Sequence, residues 1–169
     1  MPHLDAAYNL ARWLTRDVHD AEDVVQDACV RALRYLASLQ GSDARAWLLT
    51  IVRNAFYDWL ARNRPAEVVQ VGDDALEAVV DVAAMDPQEA ALRSADARAL
   101  SDAVAELPLQ FREVLVLREL EDLSYKEIAQ VAGIPMGTVM SRLARARALL
   151  QRSPMLRAIG GGVATRSVR

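Results

Sequence analysis

The chain of 169 residues is poor in the groups that usually announce chemistry. It has one cysteine, Cys29, which excludes an internal disulfide and points to a reducing compartment. It has two histidines, His3 and His19, neither with a matched partner for metal binding. Without a metal-ligand cluster, phosphate loop or nucleophile motif, no cofactor and no enzymatic activity are expected. Aromatic residues make up only 5%, which disfavours sheets; the abundant Ala, Leu, Val and Arg favour helices. No apolar run reaches membrane length and no signal peptide is read, so no membrane insertion and a cytoplasmic location are expected.

What is present is helical periodicity in two blocks. Residues 5–64 hold it, and 93–152 regain it. Between them Pro65, Gly72-Asp73-Asp74 and Asp86-Pro87 interrupt an acidic, Val/Ala-rich stretch. The net charge of −3 conceals a division: 66–95 carries seven acidic residues against one basic, and 96–169 carries eleven basic against eight acidic. Local charge decides phosphate binding. The expectation is an all-α chain with a first domain over 1–64, an acidic linker over 65–92, a second domain over 93–152 and a flexible tail over 153–169.

The second block contains LSYKEIAQVAGIPMGTVMSRLARARALL over 123–150, which reads as helix, tight turn, helix. Ser124 and Glu127 form a capping box, Gly133 supplies a left-handed helix end, and Ile134-Pro135 closes the turn, with Thr138 at the start of the last helix. On that helix Val139, Leu143, Ala146 and Leu150 share one face; Thr138, Ser141, Arg142 and Arg145 share the other. No acidic residue occurs from Thr138 to Arg152. A basic amphipathic helix can serve solubility alone, but spacing, turn glycine and cap together favour a helix that enters the DNA major groove.

In the first block Asp20 is expected to cap a helix whose buried face is Val25, Cys29, Ala32 and Leu36. The opposite face carries Asp23, Asp27, Arg31 and Arg34, with an apolar Val30 that mildly favours a partner surface. A helix from about Ala44 to Asn63 buries Leu48, Ile51, Val52, Ala55 and Trp59, and Thr50, Arg53, Asn54 and Tyr57 lie together on its other side. Trp47, Phe56, Tyr57 and Trp59 fall within thirteen residues of an aromatic-poor chain. Rings beside Arg and Asn suit unstacked bases. Phe56 and Trp59 are expected in the core, and Tyr57 and Asn54 at a functional face.

Four segments, DAEDVVQDACVRALRYL (20–36), RAWLLTIVRNAFYDWLARNR (45–64), ELPLQFREVLVLRELEDLSYKEIA (106–129) and GIPMGTVMSRLARARALL (133–150), resemble in order and spacing the group IV, or extracytoplasmic-function (ECF), sigma factors of bacterial RNA polymerase. The resemblance implies two small helical domains, sigma domain 2 and a helix-turn-helix sigma domain 4. It implies that Asp20, Glu22, Asp23, Val25, Gln26, Asp27 and Arg31 meet the clamp of core RNA polymerase. It places Gln40, Arg45, Trp47, Arg53, Asn54 and Tyr57 at the melted strand of the −10 element of promoter DNA. Lys126, Thr138, Ser141, Arg142 and Arg145 fall at the −35 duplex, and the segment Leu107 to Leu117 at the polymerase flap. The acidic linker would thread channels that otherwise hold nucleic acid, and an anti-sigma factor is an implied partner.

Three departures from the family pattern stand out: a short segment before Tyr8, Leu39-Gln40-Gly41 where an aromatic and an Arg are common, and Met140 in place of a basic residue. The first implies a shortened first helix or a start upstream. The alternative reading is a two-domain helix-turn-helix regulator that binds duplex DNA without acting as a sigma subunit.

Overall fold

The computed structural model describes residues 3–39, 43–64 and 95–156, and every regular element among them is helical. They are α1 (Leu4–Thr15), α2 (Val18–Tyr35) with a 3-10 turn after it (Leu36–Ser38), α3 (Ala44–Asn63), α4 (Ala95–Ala105), α5 (Leu109–Glu119), α6 (Tyr125–Ala132) and α7 (Met136–Arg152). The all-α expectation is met. Gln40, the linker expected over 65–92 and the tail from 157 onward lie outside the described residues. No described helix is long and apolar enough to cross a membrane.

The first three helices form a bundle. Arg16 turns left-handed (φ 63) and ends α1, leaving one residue before α2. That residue, Asp17, is the cap: its carboxylate accepts the His19 and Asp20 N–H groups at 2.8 and 3.0 Å. Asp20, expected as the cap, instead stands inside the first turn. The buried face of α2 is also displaced from expectation. Ala21, Val24, Ala28 and Ala32 are buried, Val25 and Cys29 are half-buried, and Leu36 is 54% exposed. Small alanines let α2 lie close to both α1 and α3.

Within α3, Ala46, Leu48, Leu49, Val52, Ala55, Phe56 and Leu60 are buried. Ile51 and Trp59, expected in that stripe, sit half-buried at its margin, and Phe56 is fully enclosed. An apolar side chain of this size stabilises by roughly 1.5–3 kcal/mol on full burial.

The second bundle closes around α5, where Phe111, Val114, Leu115, Val116 and Leu117 are buried together with the polar Gln110, Arg112 and Glu113. The Ser124–Glu127 capping box forms as expected: Ser124 N–H donates to Glu127 at 2.6 Å, and Glu127 N–H donates to Ser124 Oγ at 3.3 Å. Gly133 ends α6 at φ 65. Helix α7 begins at Met136, two residues before Thr138, because Pro135 supplies the extended residue that starts it. Its Val139, Leu143 and Ala146 pack inward.

The two bundles pack against each other. Helix α1 meets α5 and α3 meets α6, so the buried side chains form one cluster that runs through both.

Candidate nucleic-acid interface

The outer face of α7 is open. Ser141 and Arg145 are exposed, Thr138 and Arg142 are half-buried, and Lys126 projects from the preceding α6. Ser141 Oγ donates to the Thr138 carbonyl at 3.1 Å, which holds it to its own helix. The sequence-expected duplex-reading residues are thus all at least partly accessible. Arg147, one turn further on, is committed to Glu119 at 2.8 Å and ties α7 to α5.

The face of α3 is different. Arg45, Arg53 and Tyr57 are all occupied by carboxylates from the second bundle. Arg53 Nε donates to Glu113 Oε1 at 2.5 Å, and the Tyr57 hydroxyl donates to Glu113 Oε2 at 3.3 Å. The Arg53 guanidinium also lies over the Tyr57 ring, 4.4 Å from its centroid, a cation–π arrangement. Arg45 donates to Glu121 Oε2 at 2.6 Å, and Asn9 of α1 donates to the other oxygen at 2.5 Å. Asn54 stays exposed beside this cluster, and Trp47 is half-buried against the core.

Glu113 is the pivot. Its side chain is 1% exposed. Burial pushes its carboxyl above the ordinary range, while Arg53, Arg142 and Tyr57 pull it back. Burial, and then the Glu113 charge, likewise push the Tyr57 hydroxyl up, so it remains a neutral donor. Arg142 belongs to the face of α7 expected to read duplex, and Arg53 to the face of α3 expected to meet the melted strand. One carboxylate thus acts electrostatically on both. Sequence reasoning missed Glu113, on a helix buried nearly all round that shows no polar stripe, and Glu121 just after that helix; their partners lie 60 and 76 residues away.

The α2 residues divide into two groups. Glu22, Asp23 and Gln26 are exposed, and Val25 is half-buried. Asp27 and Arg31 pair at 2.8 Å, and Arg31 reaches Asp58 of α3 at 2.5 Å. Asp20 lies 3.5 Å from Arg64, and burial followed by the neighbouring Asp17 raises its carboxyl. These three residues join α2 to α3 as well as lining its outer face. Beyond them Val30, Leu33, Tyr35 and Leu36 form an exposed apolar edge. Among the described residues no cluster suits a metal ion.

Residues 1–66 match the family model for Sigma-70 region 2, and residues 97–150 that for Sigma-70, region 4. The chain is 34% identical over 152 residues to the ECF RNA polymerase sigma factor SigE of Mycolicibacterium smegmatis, covering 88% of this chain and 57% of that protein. It is 32% identical over 140 residues to the RNA polymerase sigma factor YlaC of Bacillus subtilis, covering 82% and 80%. The sigma factor RpoE of Bartonella quintana, solved in complex with the anti-sigma factor NepR, is similar at a TM-score of 0.68 and 33% identity over 91% of each chain. With both regions matched in order, the chain belongs to the ECF sigma factors of the sigma-70 family.

Proposed function

We propose that this chain directs core RNA polymerase to specific promoters and assists their opening, with the reading divided between α7 and α3. The observation that carries the division is the presence, in one chain, of two unlike faces. The α7 face is basic and lies on a helix-turn-helix, suited to duplex. The α3 face pairs Arg45, Arg53 and Asn54 with Tyr57 and Trp47, suited to unstacked bases.

In this reading Thr138, Ser141, Arg142 and Arg145 enter the major groove of the −35 element, and Lys126 meets a phosphate. Residues Arg45 to Tyr57, with Gln40 before them in sequence, hold the melted strand of the −10 element. Melting costs base stacking, and captured bases offset that cost. Glu22, Asp23, Val25 and Gln26 meet the clamp, with Asp20, Asp27 and Arg31 setting the geometry of that surface. The polymerase supplies catalysis, and the chain supplies specificity. The acidic stretch 65–92 serves as the connection through the polymerase channel.

An anti-sigma factor is the proposed regulator. The likeness to RpoE spans both domains, and that protein was solved with such a factor bound. The exposed edge Val30–Leu36 offers apolar surface for a protein partner.

The test mixes the full chain with core polymerase and a library of random promoters, and sequences the transcripts. Transcribed templates should share two elements at fixed spacing. Initiation nowhere, or a promoter footprint made equally well without polymerase, would replace this reading with a regulator that binds duplex alone.

A further inference from the structure

Single exposed apolar side chains are ordinary on a protein surface. Two methionines of α7 stand apart by their position. Met136 and Met140 are 49% and 47% exposed, and one turn of helix separates them, so they are neighbours on its surface. Burial of Val139, Leu143 and Ala146 fixes which side of α7 faces its own bundle. At about 3.6 residues per turn, the opposite arc carries Gly137, Ser141, Ala144 and Arg145, with Met140 on its shoulder. All of these are exposed. The outward face is therefore divided lengthwise, polar along Ser141 and Arg145 and apolar along Met140 and Ala144. We propose that Met140, with Ala144 beside it, is a specificity-determining residue that reads the C5-methyl group of thymine in the −35 duplex. The proposal rests on the assignment of α7 to that duplex.

Three observations point to a base methyl rather than to a phosphate. The first is chemical. A thioether has no proton to donate to a phosphate or to guanine, whereas thymine offers an apolar methyl in the major groove. An unbranched, polarisable side chain can settle against that methyl in more than one rotamer. The second is position. The recognition helix of a helix-turn-helix presents its N-terminal residues to base edges, and Met140 lies in the second turn of α7. The third is relief. Gly137 and Ala144 lie to either side of Met140 along the helix, and a methyl group on Gly137 would meet nothing within 4 Å. These small neighbours leave Met140 standing highest on the apolar strip. Arg147, two turns beyond Met140, is already paired with Glu119 at 2.8 Å, so that cation of the strip is engaged within the fold.

The test uses holoenzyme formed from core polymerase and the full chain, on a promoter that it selects from a random library. Each thymine of the −35 element, on either strand, is replaced in turn by deoxyuridine, which pairs identically and lacks only the methyl. Competition binding reads the thymine-to-uracil affinity ratio at each position. For the wild type the ratio should be about four at one position or two adjacent ones, the value of one buried methyl group, and unity elsewhere. Met140→Leu, still apolar, should keep that ratio. Met140→Gln, of similar length but polar, should bring it to unity at the same position. Met140 is exposed, so circular dichroism should show unchanged helix content in both variants. Arg145→Ala should weaken binding and leave the ratio at the Met140 position as it was.

A wild-type ratio of unity at every position, or a −35 element without an A·T pair, overturns the thymine reading. So does a ratio that survives Met140→Gln, which would assign the methyl to another side chain. Any of these results with initiation intact leaves the sigma assignment standing and sinks the role of Met140 alone. Wild-type protein that never directs initiation sinks the assignment on which that role rests.

Discussion

Arg145 and Asp23 are exposed side chains on opposite ends of the proposed mechanism, and each gives a prediction of its own. Arg145→Ala should weaken binding of the holoenzyme to the −35 duplex by about 1–3 kcal/mol for a base contact, with specificity relaxed at one position. A uniform loss across sequences, with a shallower salt dependence, would mark it as a phosphate contact instead. Asp23→Ala should lower affinity for core polymerase in a binding assay and leave the helix content unchanged. Equal affinity would remove Asp23 from the clamp surface. The outward face of α7 was legible because an amphipathic helix with one basic face states its orientation in its own period. Glu113 was not legible: its meaning comes from Arg53 and Tyr57, which belong to another helix and another domain.

At the scale of elements, local chemistry was readable where it closed within a few residues. The Ser124–Glu127 box and the Gly133 helix end were expected and are present. Placing a methyl group on Gly133 meets nothing within 4 Å, so the cost of Gly133→Ala is the backbone's alone. At φ 65 that should be about 1 kcal/mol in chemical denaturation, with the midpoint lowered and the slope unchanged.

The start of α2 was misread because Asp17 and Asp20 are both good caps, and only the left-handed turn at Arg16 decides between them. Asp17→Ala should cost about 1 kcal/mol, and Asp20→Ala should lack this capping loss. The cap also has a pH signature. Hydrogen bonding from the Asp20 N–H, with help from that of His19, holds the Asp17 carboxyl below its ordinary value. Its stabilisation is therefore complete above the unfolded carboxylate pKa of about 3.9 and is lost as pH falls through the lower folded value. Asp17→Asn should keep most of the cap and flatten that acid dependence. The same acid sensitivity in the Asn variant would contradict the assignment.

The whole molecule shows what periodicity leaves out. Two helical domains were readable from two periodic blocks, and the family from their order. Their mutual packing was not, because α5 is buried nearly all round and the stripe read on α3 orients that helix only within its own bundle. That packing determines which residues are available. Arg53 and Arg45 of α3 are held by Glu113 and Glu121, while Ser141 and Arg145 of α7 are exposed. The proposed function assigns recognition of the duplex and capture of the strand to different helices, so the two are separable in experiment.

The most direct measurement of that separation is permanganate reactivity of unpaired thymines, taken with protection of the −35 duplex on the same promoter. The sample is core polymerase with either the wild-type chain or Asn54→Ala. With the wild type, reactivity should appear around the −10 element together with −35 protection. With Asn54→Ala, which alters an exposed side chain, reactivity should fall while protection persists. Loss of both signals together, or of neither, would contradict a reader divided between α3 and α7.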